Sequence, residues 1–460
     1  MASLIGIVVG PTPICAAPLE FTGVNLSGAE FGVSNNNVHL PGIFGTDYFY
    51  PTAAEVNYYV GKGMNTFRLP FRWERLQRSL NSALDPTELG RMDTFVNAAT
   101  AKGAYTIIDP HNFERYNPAA SNFQSSAQGL VGSSVPDSAF ADFWSRIATQ
   151  YKSNSHVIFN LMNEPNTVPE AQLVASENAA IVAIRATGAT NLILVPGNDY
   201  TGAWTWTSGA NNTGMLGIVD SGNNFAYDVH QYLDSNGSGG STQIGTNQNP
   251  NDATIGVSRL TSMTQWLHDN HQKAFLGEFA VGNSTIGTGA TQVGDEAINN
   301  MLTLMEQNSD VWLGWNWWGG GPNWGNYMFS IEPTGLGTGS QADRAVMSAL
   351  QATDASQTHP HVAHTLTGDY DNNGLVDAND YTVWQNSFGQ TGAGLAADAN
   401  LNGIVDAGDY TIWRDHMQVS GAGALGGGTV PEPCSYSLAI LGAACLGLAR
   451  RRGAACSSAD

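Results

Sequence analysis

Two glutamates offer paired acid and nucleophile chemistry. Residues 157–162 form a short apolar run that ends in Asn163-Glu164-Pro165, and the run 274–277 ends in Glu278-Phe279. Breaking a glycosidic bond needs a proton on the leaving oxygen and electron density at the anomeric carbon, and two facing carboxyl groups supply both. A separation of about 5–5.5 Å gives a covalent intermediate and retention of configuration. Four other apolar runs also lead into polar or aromatic groups. These are Arg68-Leu69-Pro70-Phe71-Arg72, Asp109-Pro110-His111-Asn112, His230-Gln231-Tyr232 and Trp315-Asn316-Trp317-Trp318. A strand-end His or Arg is usually just a satisfied structural residue. Six such ends sharing one rim point to a site.

Eight apolar runs position these groups, at 21–26, 66–70, 105–109, 157–162, 192–196, 226–229, 274–277 and 311–317. Helix-like segments lie between them, at 53–63, 138–153, 170–187, 253–270 and 296–307. In the second of these, Phe140, Phe143, Trp144, Ile147 and Tyr151 recur at helical spacing. Glycines after Lys62 and Lys102 mark helix ends. Alternating strands and helices imply a parallel sheet. Eight units across residues 19–353 predict an α/β chain closed into a (β/α)8 TIM barrel, whose site collects at the C-terminal strand ends. The first run leads into Asn25-Leu26-Ser27-Gly28, which lacks the glycine pattern of a dinucleotide fold.

Composition narrows the partners. The 460 residues carry a net charge of −21, so nucleic acid and anionic lipid are disfavoured. The 12 Trp, 15 Tyr and 17 Phe suit both a core and stacking on sugar faces. The four cysteines, Cys15, Cys434, Cys445 and Cys456, all lie near the ends, so the barrel has none to pair. No His pair at metal-ligand spacing occurs in the barrel, so catalysis is expected without a cofactor.

Residues 21–335 resemble glycoside hydrolase family 5, and most closely its fungal-type endo-β-1,4-glucanases. The resemblance rests on Gly23-Val24-Asn25-Leu26-Ser27-Gly28-Ala29-Glu30-Phe31-Gly32, Thr66-Phe67-Arg68-Leu69-Pro70-Phe71-Arg72-Trp73-Glu74 and Leu161-Met162-Asn163-Glu164-Pro165-Asn166. It extends through Asp228-Val229-His230-Gln231-Tyr232-Leu233, Phe275-Leu276-Gly277-Glu278-Phe279-Ala280 and Trp312-Leu313-Gly314-Trp315. It implies a secreted, monomeric, retaining cellulase acting on β-glucan, with Glu164 as acid/base and Glu278 as nucleophile. It further implies that Asn163 bonds the 2-hydroxyl, Arg68 keeps the nucleophile ionised, and Tyr232 bonds Glu278. His111 and His230 would orient the sugar and the acid/base. Trp317 would floor the reacting subsite, with Trp315 and Trp318 as alternatives. Trp204, Trp206 and Trp324 are candidate outer platforms. Mannan, xyloglucan or mixed-linkage glucan are alternative substrates, and a non-catalytic carbohydrate-binding surface protein is the alternative outside enzymology.

Beyond the barrel, residues 354–366 read as a linker and residues 367–418 hold a repeat. Asp369, Asp371, Asn373, Asp377 and Asp380 fall at calcium-loop positions, and Asp398, Asn400, Asn402, Asp406 and Asp409 repeat them. The pair resembles a dockerin type I module, a small all-α EF-hand-like unit that binds structural Ca²⁺. That resemblance implies a cohesin-like partner, and a calcium-stabilised spacer is the other reading. A glycine-rich linker spans 419–429. Residues 430–452 run from Val430-Pro431-Glu432-Pro433 through an apolar stretch to Arg450-Arg451-Arg452. They resemble a PEP-CTERM sorting tail, which implies transient membrane association and removal. Residues 1–18 resemble a signal peptide, so export to the cell surface or beyond is expected.

Overall fold

The structure, a computed structural model, describes residues 19–34, 37–117, 128–287, 289, 291–351, 370, 378–391, 395, 397, 399 and 404–416. These fall into two compact units, one holding the barrel and one holding the two C-terminal helices.

The eight apolar runs form the eight barrel strands: β1 (Phe21–Leu26), β2 (Thr66–Phe71), β3 (Tyr105–Pro110), β4 (Val157–Asn160), β5 (Ile193–Pro196), β6 (Phe225–His230), β7 (Ala274–Phe279) and β8 (Trp312–Gly320). All neighbours pair in parallel, and β1 pairs with β8 to close the barrel. Strands buried on both faces read as continuous apolar sequence, which is why the runs are legible.

Among the described residues, seven helices of six residues or more surround the strands: α1 (Ala53–Gly61), α2 (Pro86–Thr100), α3 (Asp137–Tyr151), α4 (Glu170–Ala186), α5 (Ile255–Asn270), α6 (Gly294–Gln307) and α7 (Ala345–Leu350). A capping box starts α1, with Thr52 Oγ1 accepting from Ala54 N (3.1 Å) and Glu55 Oε2 accepting from Thr52 N (2.8 Å). Phe140, Phe143, Trp144, Ile147 and Tyr151 are all buried on α3, each contributing about 1.5–3 kcal/mol of apolar burial.

Two features depart from the sequence expectation. Helices α2 and α7 lie outside the helix-like segments read from the sequence, although Asp85 caps α2 and Pro86 opens it. After β5 the chain makes only short turns among the described residues, at Asp199–Thr201, Asn211–Gly214 and Met215–Gly217, where a full helix would complete the ideal pattern. There Trp206 packs on Tyr227 and Trp266, with ring centroids 5.2 and 5.6 Å away, and fills the layer instead.

Inside the barrel the layers follow the two-residue period of a strand. Phe21, Ile107, Ile158, Leu194, Ala226 and Phe275 form an apolar plug. One step further along the strands, Asn25, Arg68, Asp109, Asn160 and Asp228 form a fully buried polar layer. The site rests on that layer.

In the second unit, α8 (Ala378–Ser387) and α9 (Ala407–His416) pack through Trp384, Tyr410 and Trp413. Seven of the expected calcium ligands, Asp369, Asp371, Asn373, Asp377, Asp398, Asn400 and Asn402, lie outside the described residues. So do the leader-like and tail segments.

Candidate active site

Arg68 is the hub of the site. Its guanidinium is wholly buried and donates to Asn25 Oδ1 (2.8 Å), Glu278 Oε1 (2.8 Å) and Asn163 Oδ1 (2.6 Å), with Asp109 Oδ2 at 3.1 Å. Burial alone would lower its pKa, but Asp109, Glu278 and Asp228 outweigh that and push it up. Asp109 answers in kind. Burial would raise it, yet Arg68 and His111 hold it below the usual carboxylate range. Asn160 Nδ2 ties the layer together, donating to Asp109 Oδ1 (3.1 Å) and Asp228 Oδ2 (2.9 Å).

Glu278 is gripped from two sides. Arg68 holds Oε1, and the Tyr232 hydroxyl donates to Oε2 at 2.7 Å. Tyr232 itself stacks on Phe329, with centroids 6.0 Å apart and planes 24° apart. Gly277 just before it must be glycine, because a Cβ there would sit 2.1 Å from Asp228 Oδ1.

Glu164 stands in the left-handed region at φ 44°, a conformation that surrounding structure must enforce on a non-glycine residue. Three hydrogen bonds around it do so. Asn163 N donates to Pro110 O, Phe113 N donates to Asn163 O (both 3.0 Å), and Asn166 Nδ2 donates to Glu164 O (3.2 Å). Its carboxylate accepts from His230 Nδ1 at 2.8 Å, and the same nitrogen lies 3.6 Å from Glu278 Oε2. Burial lowers the His230 pKa, but Glu278, Asp228 and Glu164 reverse the effect and push it up to about 10. The imidazolium thus stands between both carboxylates. Oxygens of Glu164 and Glu278 lie within 4.8 Å of one another.

His111 Nδ1 donates to Asp109 Oδ2 (3.0 Å), and Asn163 Nδ2 donates to His111 Nε2 (3.2 Å). Arg68, His111, Asn163, Glu164, His230, Tyr232 and Glu278 are therefore brought together at one end of the barrel. A separate cavity at the other end, lined by Phe21, Tyr105, Ile158 and Leu313, contains none of them.

The structure corrects the Trp317 assignment. Trp317 is 0% exposed; its Nε1 donates to Phe329 O (3.0 Å) and its ring packs on Phe279 at 5.2 Å. A buried ring facing the helices cannot floor a sugar. Trp315 shares that face and is also buried. Trp318 points inward with Asn316, is only part-buried, and lies nearly parallel to His111 at 5.7 Å. Trp206 is likewise buried, which removes it as an outer platform, whereas Trp204 is 46% exposed. Trp324 is part-buried and stacks on Tyr327 at 4.2 Å.

Sequence reasoning gave no role to Asn25, Asp109, Asn160 or Asp228. One signal existed: Asp109/His111 and Asp228/His230 are each two apart at a strand's end, so each acid shares a face with a rim histidine.

Residues 24–321 match the family described as Cellulase (glycosyl hydrolase family 5). The chain is 41% identical over 319 residues to endo-β-1,4-glucanase B of Aspergillus niger, covering 69% of this chain and 86% of that protein. An endo-β-1,4-glucanase structure from Xanthomonas axonopodis pv. citri is 42% identical with a TM-score of 0.63, covering 72% of this chain and 97% of that one. XacCel5A, solved in complex with cellopentaose, is also 42% identical, with a TM-score of 0.62 and the same coverage. By its paired glutamates, its closed parallel barrel and these matches, the chain belongs to glycosyl hydrolase family 5, the cellulases.

Proposed function

We propose that the protein is an endo-β-1,4-glucanase that hydrolyses β-glucan with retention of configuration. Glu278 attacks the anomeric carbon as the glycosidic C–O bond breaks, and Glu164 gives its proton to the departing oxygen. Water then loses a proton to Glu164 and displaces Glu278, releasing the sugar. The observation that carries this reading is the spacing of the two carboxylates. Oxygens within 4.8 Å suit a retaining pair, whereas an inverting pair stands about 6.5–9.5 Å apart to admit a water.

The other residues take supporting roles. Arg68 and Tyr232 fix Glu278 and keep its attacking oxygens aimed. The amide of Asn163 already serves Arg68 and His111, so its second Nδ2 hydrogen is the one left for the 2-hydroxyl. Trp318 replaces Trp317 as the floor of the reacting subsite, and Trp324 with Tyr327 extends the aromatic surface. The named relatives are endo-β-1,4-glucanases, and one neighbour holds cellopentaose, which favours a β-1,4-glucan chain.

Proton NMR of cello-oligosaccharide cleavage tests the mechanism. The β-anomer should appear first and mutarotate later, and an initial α-anomer contradicts retention. Reducing-sugar release on carboxymethylcellulose, lichenan and mannan tests the substrate, with mannan expected to be the poorest.

Outside the barrel, we infer a calcium-stabilised dockerin-like module. Asp380 and Asp409 are both fully buried, and each accepts from a backbone N–H ten residues earlier. Tyr370 N to Asp380 Oδ1 is 2.7 Å, and Ala399 N to Asp409 Oδ1 is 2.9 Å. Paired buried carboxylates at matching positions fit a hard cation held by oxygen ligands. Asp369, Asp371, Asn373, Asp377 and Asp380 would hold one ion, and Asp398, Asn400, Asn402, Asp406 and Asp409 the other. Calorimetry of the full chain with and without chelator should show a calcium-dependent transition, and its absence overturns the module's role. Export and tail processing are read from residues 1–18 and 430–452, and the mass of the mature secreted protein tests both.

A further inference from the structure

We propose that Thr201 is a positioning residue for the acid/base Glu164, acting through a left-handed clasp that the segment 199–203 forms over the site. The proposal rests on the reading of Glu164 as proton donor.

Asp199, Tyr200 and Thr201 stand at φ 54°, 59° and 50°. Three successive non-glycine residues in the left-handed region are unusual, and a β-branched residue there is an outlier that its surroundings must over-determine. The surroundings are the backbones of Pro165, which follows Glu164, and of Gly197, Asp228 and His230. Tyr200 N donates to Pro165 O (3.0 Å), one residue after Glu164. Ala203 N donates to His230 O (3.0 Å). Between them the wholly buried Thr201 hydroxyl accepts from Gly197 N (2.9 Å) and donates to Asp228 O. One five-residue segment therefore joins the end of β5, the end of β6 and the loop after β4.

This joint bears on Glu164 more than on Glu278. Glu278 is held by Arg68 and Tyr232, and neither bond involves the clasp. The Glu164 carboxylate, among the described residues, has His230 Nδ1 as its hydrogen-bond partner. Loosening the clasp shifts His230 and the Glu164 backbone relative to each other, so proton donation suffers while nucleophilic attack is spared. The left-handed run is the conformational requirement that brings Tyr200 N and Thr201 Oγ1 to bear on different strands at once.

The test compares kcat/KM on phenyl β-cellobioside, whose leaving group needs a proton, with 2,4-dinitrophenyl β-cellobioside, whose leaving group does not. Both values report the first chemical step, and their ratio is independent of the fraction of protein folded. Thr201→Val should lower the phenyl value about tenfold and the dinitrophenyl value less than twofold, in keeping with the sensitivity of general acid catalysis to small misplacements. Thr201→Ala, which removes the hydroxyl without adding a methyl, should show the same bias, and Thr201→Ser should restore the wild-type ratio. Glu164→Ala serves as reference and should show a larger bias of the same sign. If Glu164→Ala is biased but Thr201→Val and Thr201→Ala lose both activities equally, or neither, the clasp is refuted and the acid/base reading stands. If Glu164→Ala shows no bias, the acid/base reading itself fails.

Discussion

The two neighbouring tryptophans of β8 should fail in opposite ways when truncated. Trp317 is fully buried between Phe279 and the Phe329 carbonyl. Trp317→Ala removes a core ring, which costs about 3–5 kcal/mol. With unfolding entropy near 2.1 cal/mol/K per residue over a barrel of roughly 330 residues, that lowers Tm by about 4–7 °C. Activity per folded molecule should change little, because the ring never meets substrate. Trp318 is part-buried beside His111 and packs at the edge of the core, so its truncation opens less of a cavity. If a sugar covers ~80 Å² of its face, Trp318→Ala forfeits about 2 kcal/mol of binding, or about thirtyfold in kcat/KM. Its Tm should fall by no more than about 2 °C. Thermal unfolding and initial rates on cellopentaose, with the folded fraction counted by active-site titration, read both effects. The reasoning is refuted if Trp317→Ala costs more kcat/KM per folded molecule than Trp318→Ala, or if Trp318→Ala is the less stable variant.

Two pH predictions follow from buried ionisable groups. Glu114 and Glu177 are both fully buried, their carboxylate oxygens have no hydrogen-bond partner among the described residues, and burial, joined by Asp137 beside Glu114 and by Glu114 beside Glu177, pushes both pKa values up. Such a carboxyl stays protonated in the fold while the unfolded chain ionises above about 4.5, so stability falls as pH rises from there. Glu114→Gln should therefore raise Tm more at about pH 8 than at about pH 4, and an equal gain at both contradicts the burial argument. His230 works with the opposite charge type. Its pKa rises from 6.5 to about 10, so its contribution is fully present below 6.5 and is lost as pH climbs through 10. His230→Gln should be less stable than wild type near pH 6 and converge with it above about pH 10; a pH-independent difference would show that the ion pairs are not the cause.

Much of the barrel was legible because its strands are buried on both faces. An uninterrupted apolar run such as 192–196 has no other easy home in a globular fold, and eight mostly apolar runs in alternation with helices leave few topologies. The boundaries were less clear. Helix α2 carries Met92, Phe95, Val96 and Ala99 at helical spacing behind an Asp85-Pro86 start, so its signal was present, though Gly90 and the polar faces dilute it. The missing helix after β5 could not be read, since Trp206 closes that layer through contacts with Tyr227 and Trp266 from distant segments. At the site, the rim residues were visible as polar interruptions at strand ends. The layer beneath them was not, because Asp109 and Asp228 sit inside apolar strands and gain meaning only when closure brings Arg68 and Asn160 between them. The choice between Trp317 and Trp318 turned on strand period. Trp318 shares its face with Asn316, whereas Trp317 pairs with the outward-facing Val24.

The most direct measurement is covalent trapping. Incubation with a 2-deoxy-2-fluoro-β-cellobioside bearing a good leaving group should add one fluorocellobiosyl unit, and peptide mass spectrometry should place it on Glu278. A label on Glu164, or full turnover inhibition with no covalent adduct at either glutamate, would contradict the assignment of Glu278 as the attacking group.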